Sequence, residues 1–288
     1  MGLSKEQIAR YSRQLILPEV GVKGQERLKE SSVLIVGAGG LGSPAALYLA
    51  AAGVGTIGIV DEEAVAIGNL HRQILYRTDE VGWPKSLTAQ GRLTRLNSEI
   101  TVRAIQGRLT AANATELVCS AHIVLDGSDN FATRYLVNDA CVLQRKPLIY
   151  GGVVRLDGQV LAILPKQSAC FRCVFPEPPQ GGDIPNCQEA GVLGSCAGVI
   201  GTVMAHEALK LLLGFGEALT DRLLVFDGRT SRFRETPVRR NPQCAVCGDH
   251  PTITDIRQQT SPARAEPGRA DTRPCQINNE EGQCRASK

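Results

Sequence analysis

Neither sign of charge dominates this chain. Its 32 lysines and arginines against 29 aspartates and glutamates leave a net charge of +3 over 288 residues. No basic block stands out, so charge gives no reason to expect a nucleic-acid partner. The first residues, MGLSKEQIAR, lack the apolar core of a secretory signal and are charged from Lys5. They also miss the myristoylation pattern, because Glu6 stands where Ser or Thr is needed. The expected location is the cytoplasm. No internal repeat is present. A long uncharged run, Ser31 to Val60, holds seven glycines and one proline, which argues against a membrane-spanning helix.

What that run does contain is ordered. An apolar, β-branched stretch from Val33 to Val36 leads into Gly37-Ala38-Gly39-Gly40-Leu41-Gly42, then an alanine-rich helical segment, a second apolar run from Thr56 to Val60, and Asp61. Strand, glycine turn, helix, strand and acid make a nucleotide-binding βαβ unit. Glycines let the backbone turn tightly and approach a phosphate at a helix N-terminus. Asp61 falls where a carboxylate can accept from a ribose. The motif alone leaves the nucleotide unspecified.

Hydrophobic content of 43% and charged content of 21% suit a globular chain with one large α/β domain, with or without a small appendage. Ser4 and Gln7 have capping-box spacing, with Leu3 and Ile8 as a hydrophobic staple, so a helix carrying Arg10 and Arg13 is expected to stop near Pro18. Pro84 is placed at the first position of a helix reaching about Leu96. Strands are expected at 100–105, 122–125 and 147–153, with helices between them and over 130–143. This alternation predicts a Rossmann-like, mostly parallel sheet covered on both faces. An antiparallel part follows: Asp157-Gly158 reads as the type I′ turn of a hairpin, and strands recur at 223–226 and 232–235. Between them lie a proline- and glycine-rich loop (176–186) and a long apolar helix (192–213). From about 251 the chain turns polar and is expected to be disordered.

Ten cysteines without a secretory signal point to metal or sulfur chemistry rather than a disulfide framework. Cys119 and Cys141 read as core residues. Cys170-Phe171-Arg172-Cys173 and Cys244-Ala245-Val246-Cys247 each have zinc-knuckle spacing, and together supply four thiolates for a closed tetrahedral zinc site. A redox pair is the other reading of either alone.

Three charged segments complete the pattern: Gly68-Asn69-Leu70-His71-Arg72-Gln73, Lys85 at a helix start, and Asp126-Gly127-Ser128-Asp129-Asn130 after a strand. In a doubly wound sheet these loops meet at the ligand-binding edge. There Arg72 and Lys85 suit phosphates, and Asp129 suits a Mg²⁺ ion bridging them.

Taken in order, Arg10-Tyr11-Ser12-Arg13-Gln14, the Gly37–Gly42 loop, Asp61, Asn69 to Gln73, Lys85, Asp129-Asn130, Cys187 to Val192 and both cysteine pairs resemble the ubiquitin-activating-enzyme-like superfamily. The resemblance is to its sulfur-carrier adenylyltransferases, the MoeB and ThiF types, and runs from Ser4 to Gly248. It implies an adenylation domain over 1–250 that uses ATP and Mg²⁺ to adenylylate the terminal Gly-Gly carboxylate of a small ubiquitin-like carrier, releasing pyrophosphate. It also implies that Arg72 and Lys85 meet the phosphates, Asp129 holds Mg²⁺ and Asp61 the ribose. Gly37, Gly39, Gly40, Gly42, Gly68, Asn69, Leu70, His71 and Asn130 would complete the nucleotide site. Arg13 would reach the partner's ATP in a homodimer. Cys187 is a candidate for later sulfur or acyl transfer. Cys196 is a weaker candidate that burial in the helix would explain, and Cys275 and Cys284 carry no assignment. The tail is too short for a sulfurtransferase domain, so a separate protein would donate sulfur. Molybdopterin, thiamine, tRNA-thiolation, cysteine and siderophore pathways remain open. Competing readings are a nicotinamide- or flavin-dependent oxidoreductase on the same glycine loop and a non-catalytic dimeric scaffold.

Overall fold

The computed structural model describes residues 2–178 and 190–259. Its first helix, α1 (Lys5–Arg10), starts at the expected capping box: Gln7 N donates to Ser4 Oγ at 3.1 Å, and Ser4 N to Gln7 Oε1 at 3.0 Å. The helix does not run unbroken to Pro18. It breaks at Tyr11, a buried ring whose hydroxyl accepts from Asn97 Nδ2 at 2.8 Å, and resumes as α2 (Ser12–Leu15). A tertiary contact thus overrides the local helical pattern and puts Arg13 on a separate turn from Arg10. Helix α3 (Gly21–Glu30) leads into the sheet.

The expected βαβ unit forms as β1 (Ser32–Val36), α4 (Gly42–Ala52) and β2 (Thr56–Asp61). After it come α5 (Lys85–Leu96), β3 (Thr101–Gln106), α6 (Ala114–Cys119), β4 (Ile123–Asp126), α7 (Phe131–Leu143) and β5 (Leu148–Val154). Pro84 is the N-cap of α5 rather than its first helical residue; its ψ of 129° keeps it extended. Strand β6 (Asp157–Ile163), the short α8 (Phe171–Val174), α9 (Gly194–Leu213), β7 (Arg222–Asp227) and β8 (Arg232–Pro237) follow.

All eight strands join one sheet in the order β3-β2-β1-β4-β5-β6-β7-β8. The first five are parallel, and β6, β7 and β8 extend the sheet antiparallel. Alternation in β1 sorts its side chains: Val33 and Ile35 join the core under α4, α5 and α9, while Leu34 and Val36 join the core under α6 and α7. Burial on both faces explains why these strands read as unbroken apolar runs. By length and composition α9 could cross a membrane, but half of that stretch is buried within the protein, where α9 packs on α4, β5 and β6.

The hairpin turn lies two residues earlier than expected. Val154 pairs with Asp157, leaving Arg155 and Leu156 as the turn, with Arg155 at φ 56°. Gly158 pairs with Val153 inside β6, where a Cβ would collide with Ile200 of α9. Close helix packing, not turn geometry, is what requires that glycine. Cys141 is buried as expected, whereas Cys119 at the end of α6 is exposed. The expected disordered tail lies outside the described residues from 260 onward. Before that point Ile256 is buried against α7.

Candidate nucleotide cleft and cysteine centre

Strand order reverses between β1 and β4, and their C-terminal ends, Val36 and Asp126, stand side by side. An open α/β sheet places its ligand at such a switch point. A cleft opens there, lined among others by Gly37, Gly39, Gly40, Asp61, Glu63, Arg72, Gln73, Lys85, Asp129, Asn130 and Arg134.

The floor of the cleft is the glycine loop. Gly37 has φ 87°, and a Cβ on Gly42 would run into the Gly37 carbonyl oxygen. Only glycine permits that crossing. The loop is pinned from both sides: Ala38 N donates to Asp61 Oδ2 at 2.8 Å, and the Tyr76 hydroxyl donates to Ala38 O at 2.9 Å. Asp61 Oδ1 also accepts from Glu63 N at 2.9 Å. Burial pushes the Asp61 carboxyl above its ordinary range, against the pull of these two donors and of Lys85. Burial likewise raises the Tyr76 hydroxyl, as does the neighbouring Asp61 charge.

Cations line the walls. Lys85 is 1% exposed, and its Nζ meets Glu63 Oε2 at 2.6 Å. Arg72 is held from behind: Nη1 donates to Gly68 O at 3.0 Å and lies 2.8 Å from His71 Nε2, while Nη2 donates to Asn69 Oδ1 at 3.2 Å. Gly68, Asn69, Leu70 and His71, expected at the nucleotide, therefore do not line the cleft. Three of them brace Arg72, and Leu70 packs on the core. Gly42 also stays behind the lining, as the glycine that lets the loop close. Asp129 is exposed at the cleft, and Asn130 caps α7 by accepting from Thr133 N at 2.9 Å. Arg13 is exposed on α2 and does not line the cleft of its own chain. Cys187 lies outside the described residues, and Cys196 is buried in α9.

Sequence reasoning misses several cleft residues. Arg134, 8% exposed, donates from Nη2 to Ser128 O at 3.2 Å and lies over the rings of Phe131 and Tyr150, each 5.4 Å away. Beside it burial raises Asp126, although Arg134 and Ser128 oppose that shift. Helical spacing could have found Arg134, which stands one turn after Asn130. Glu63 lies two residues after Asp61, and Gln73 follows Arg72 directly. Tyr76 carries no local signal. Among the described residues, buried polar atoms at the cleft that have no hydrogen-bond partner include Gln73 Oε1 and Arg134 Nε. Such atoms cost free energy when left unmet, so the cleft fits a polar ligand with phosphate and hydroxyl groups.

Far along the chain from one another, the two cysteine pairs converge. The sulfurs of Cys170, Cys173, Cys244 and Cys247 all lie within 4.8 Å of one another. Three of the distances are 3.8 Å (Cys170–Cys173), 3.6 Å (Cys170–Cys244) and 3.3 Å (Cys173–Cys247). Four sulfurs at about 2.3 Å from one tetrahedral ion sit about 3.8 Å apart, so the set fits zinc. The backbone N–H of Asn241 also donates to Cys173 Sγ at 3.3 Å.

The ThiF family profile matches residues 11–246. A sulfur carrier protein adenylyltransferase of Thermus thermophilus is 52% identical over 261 residues, covering 89% of this chain and 96% of that protein. The adenylyltransferase and sulfurtransferase MOCS3 of Anopheles gambiae is 49% identical over 255 residues, covering 88% of this chain but only 58% of its own length. Among solved structures, Escherichia coli MccB shares the fold with a TM-score of 0.73 at 24% identity, covering 86% of this chain and 74% of MccB. Glycine loop, switch-point cleft, convergent cysteines and these likenesses lead to one assignment: the chain belongs to the ThiF family, and its enzyme class is adenylyltransferase.

Proposed function

We propose that residues 1–250 form an adenylation unit acting on a small ubiquitin-like sulfur-carrier protein. The unit joins the carrier's terminal Gly-Gly carboxylate to the α-phosphate of ATP and releases pyrophosphate. The observation that carries this reading is the convergence of Arg72, Lys85 and Arg134 on one cleft beside the glycine loop. Attack of a carboxylate on a phosphate brings two anions together. It needs cationic screening and alignment more than proton transfer.

In this reading Lys85 and Arg72 meet phosphate oxygens, the first from a buried position and the second from its braced loop. Asp61 accepts from ribose hydroxyls with the lone pairs that Ala38 and Glu63 leave free. Asp129, at the cleft, binds Mg²⁺. When bound, that ion draws charge from the leaving pyrophosphate. Gln73 and Arg134 gain partners for their unmet atoms. An oxidoreductase would leave this density of cations with little to neutralise.

Arg13 would act in the cleft of a partner subunit. Its exposure, and that of Ile16 (71%) and Leu17 (50%) beside it, support a homodimer. Cys187 would serve a later sulfur-transfer step, with sulfur from a separate donor protein. Zinc in the four-cysteine centre would hold the loops together with no open position for catalysis.

ATP–pyrophosphate exchange, run with and without small Gly-Gly-ended carriers, tests the reading. Carrier-dependent exchange is the expected result; no exchange with any such carrier would overturn it.

A further inference from the structure

Helix α7 spans two centres. Asn130 and Arg134 face the cleft, and two turns later Asn138 and Asp139 reach the cysteine centre, about 12 Å along the axis. Asn138 is wholly buried, and each polar atom of its amide is used. Oδ1 accepts from Phe171 N at 2.9 Å, Nδ2 faces Cys170 Sγ at 3.9 Å, and Nδ2 also donates to Asp139 Oδ1 at 2.8 Å. The Phe171 donor fixes which end of the amide faces the sulfur. Asp139, equally buried, holds Arg172 through three contacts of 2.8 to 3.0 Å. The Arg172 guanidinium lies 4.6 Å from the Tyr135 ring centre, on the same helix.

Phe171 and Arg172 are the two residues between Cys170 and Cys173. Both are therefore tied to α7, one through its backbone and one through its side chain. Neither tie makes sense as nucleotide chemistry, and the proposed adenylation does not use them.

We propose that Asn138 and Asp139 are positioning residues for the metal centre. They hold the Cys170–Cys173 turn in its ligating shape, and Asn138 supplies a hydrogen-bond donor to the Cys170 sulfur. This rests on the zinc reading above. Groups that orient and hydrogen-bond metal ligands typically change affinity 10- to 100-fold when removed. An amide donor beside a thiolate also disperses the excess negative charge of four thiolates around one divalent ion.

The test is zinc affinity by competition with a chromophoric chelator, on the full chain, with release rates followed in the same assay. Asn138→Ala is expected to weaken zinc about 10- to 100-fold. Asn138→Asp keeps the acceptor for Phe171 N but sets a carboxylate against the thiolate, and is expected to weaken zinc further. Asp139→Asn removes the anchor of Arg172 and is expected to speed zinc release. Asn97→Ala is the control. That asparagine is just as buried and donates to Tyr11 Oη at 2.8 Å and to Ala50 O at 2.7 Å, away from the centre. It should lower stability and leave zinc affinity unchanged. Wild-type affinity in both Asn138 variants, or an equal loss in Asn97→Ala, overturns the proposal. If Asn138→Ala does not fold, Asp139→Asn decides: a wild-type release rate overturns it. A wild-type chain that binds no zinc would instead remove the zinc reading itself.

Discussion

The pair Lys85–Glu63 makes a prediction in which stability and binding move in opposite directions. Lys85 is 1% exposed, while Glu63 keeps 59% of its side chain in solvent, and they meet at 2.6 Å. Two unit charges about 4 Å apart in a medium of effective dielectric near 20 attract by about 4 kcal/mol. Solvent around Glu63 screens much of that, leaving about 1–2 kcal/mol. Glu63→Gln should therefore lower stability by that amount, a fall of a few degrees in Tm. The same carboxylate stands where a triphosphate must approach Lys85, and the two anions compete for one ammonium. Its removal should strengthen ATP binding by a similar free energy, about 5- to 30-fold. Lys85→Met loses the same pair but also the cost of burying an ammonium, so it should change stability little while losing ATP. Calorimetric titration with ATP, paired with thermal unfolding of the nucleotide-free protein, reads both quantities. Weaker ATP binding in Glu63→Gln would refute the reasoning, since the carboxylate would then be orienting Lys85 rather than competing for it.

Other expectations are equally direct. Asp129→Ala should abolish ATP–pyrophosphate exchange while leaving the far-ultraviolet dichroism unchanged, because Asp129 is exposed; normal exchange would strip it of its Mg²⁺ role. Cys187→Ala should leave exchange intact and impair only subsequent sulfur transfer, measured as thiocarboxylate on the carrier by mass spectrometry. Burial raises Asp126 above its ordinary 3.8, so the folded chain resists its ionisation more than the unfolded chain does. That cost is absent below the unfolded pKa, grows as pH rises toward the raised folded value, and persists above it. Asp126→Asn can keep the acceptor for Ser128 N, so it should be more stable than the parent at pH 7 and lose that advantage near pH 3, by denaturant titration at both.

Much of the fold was legible because its signals are local. Val33 to Val36, the glycines after them and Asp61 specify the βαβ unit within 30 residues, and Ser4 with Gln7 marks a helix start by spacing alone. The cysteine pairs could be matched across the chain because zinc geometry demands four ligands. Less legible was whatever depends on a distant neighbour. Tyr11 breaks its helix for Asn97, and Gly158 serves the passage of Ile200. Arg155 takes the turn that Asp157-Gly158 advertises. In the cleft, Arg72, Lys85 and Asp129 could be placed by motif. The roles of their neighbours could not, since Tyr76 and the 68–71 turn act by holding other groups in position.

Strand β8 ends the sheet with every residue exposed and its outer edge unpaired among the described residues. An open edge of this kind invites pairing with any other strand. Here the invitation is blunted. Arg232, Arg234 and Glu235 crowd it with charge, and Pro237 closes it without an N–H. Phe233, the one large apolar residue in the strand, turns toward Phe226 with ring centres 4.8 Å apart. Charge and the missing donor thus oppose growth of the sheet through this edge. Replacing both arginines with valine is expected to make the chain pair and aggregate through this edge.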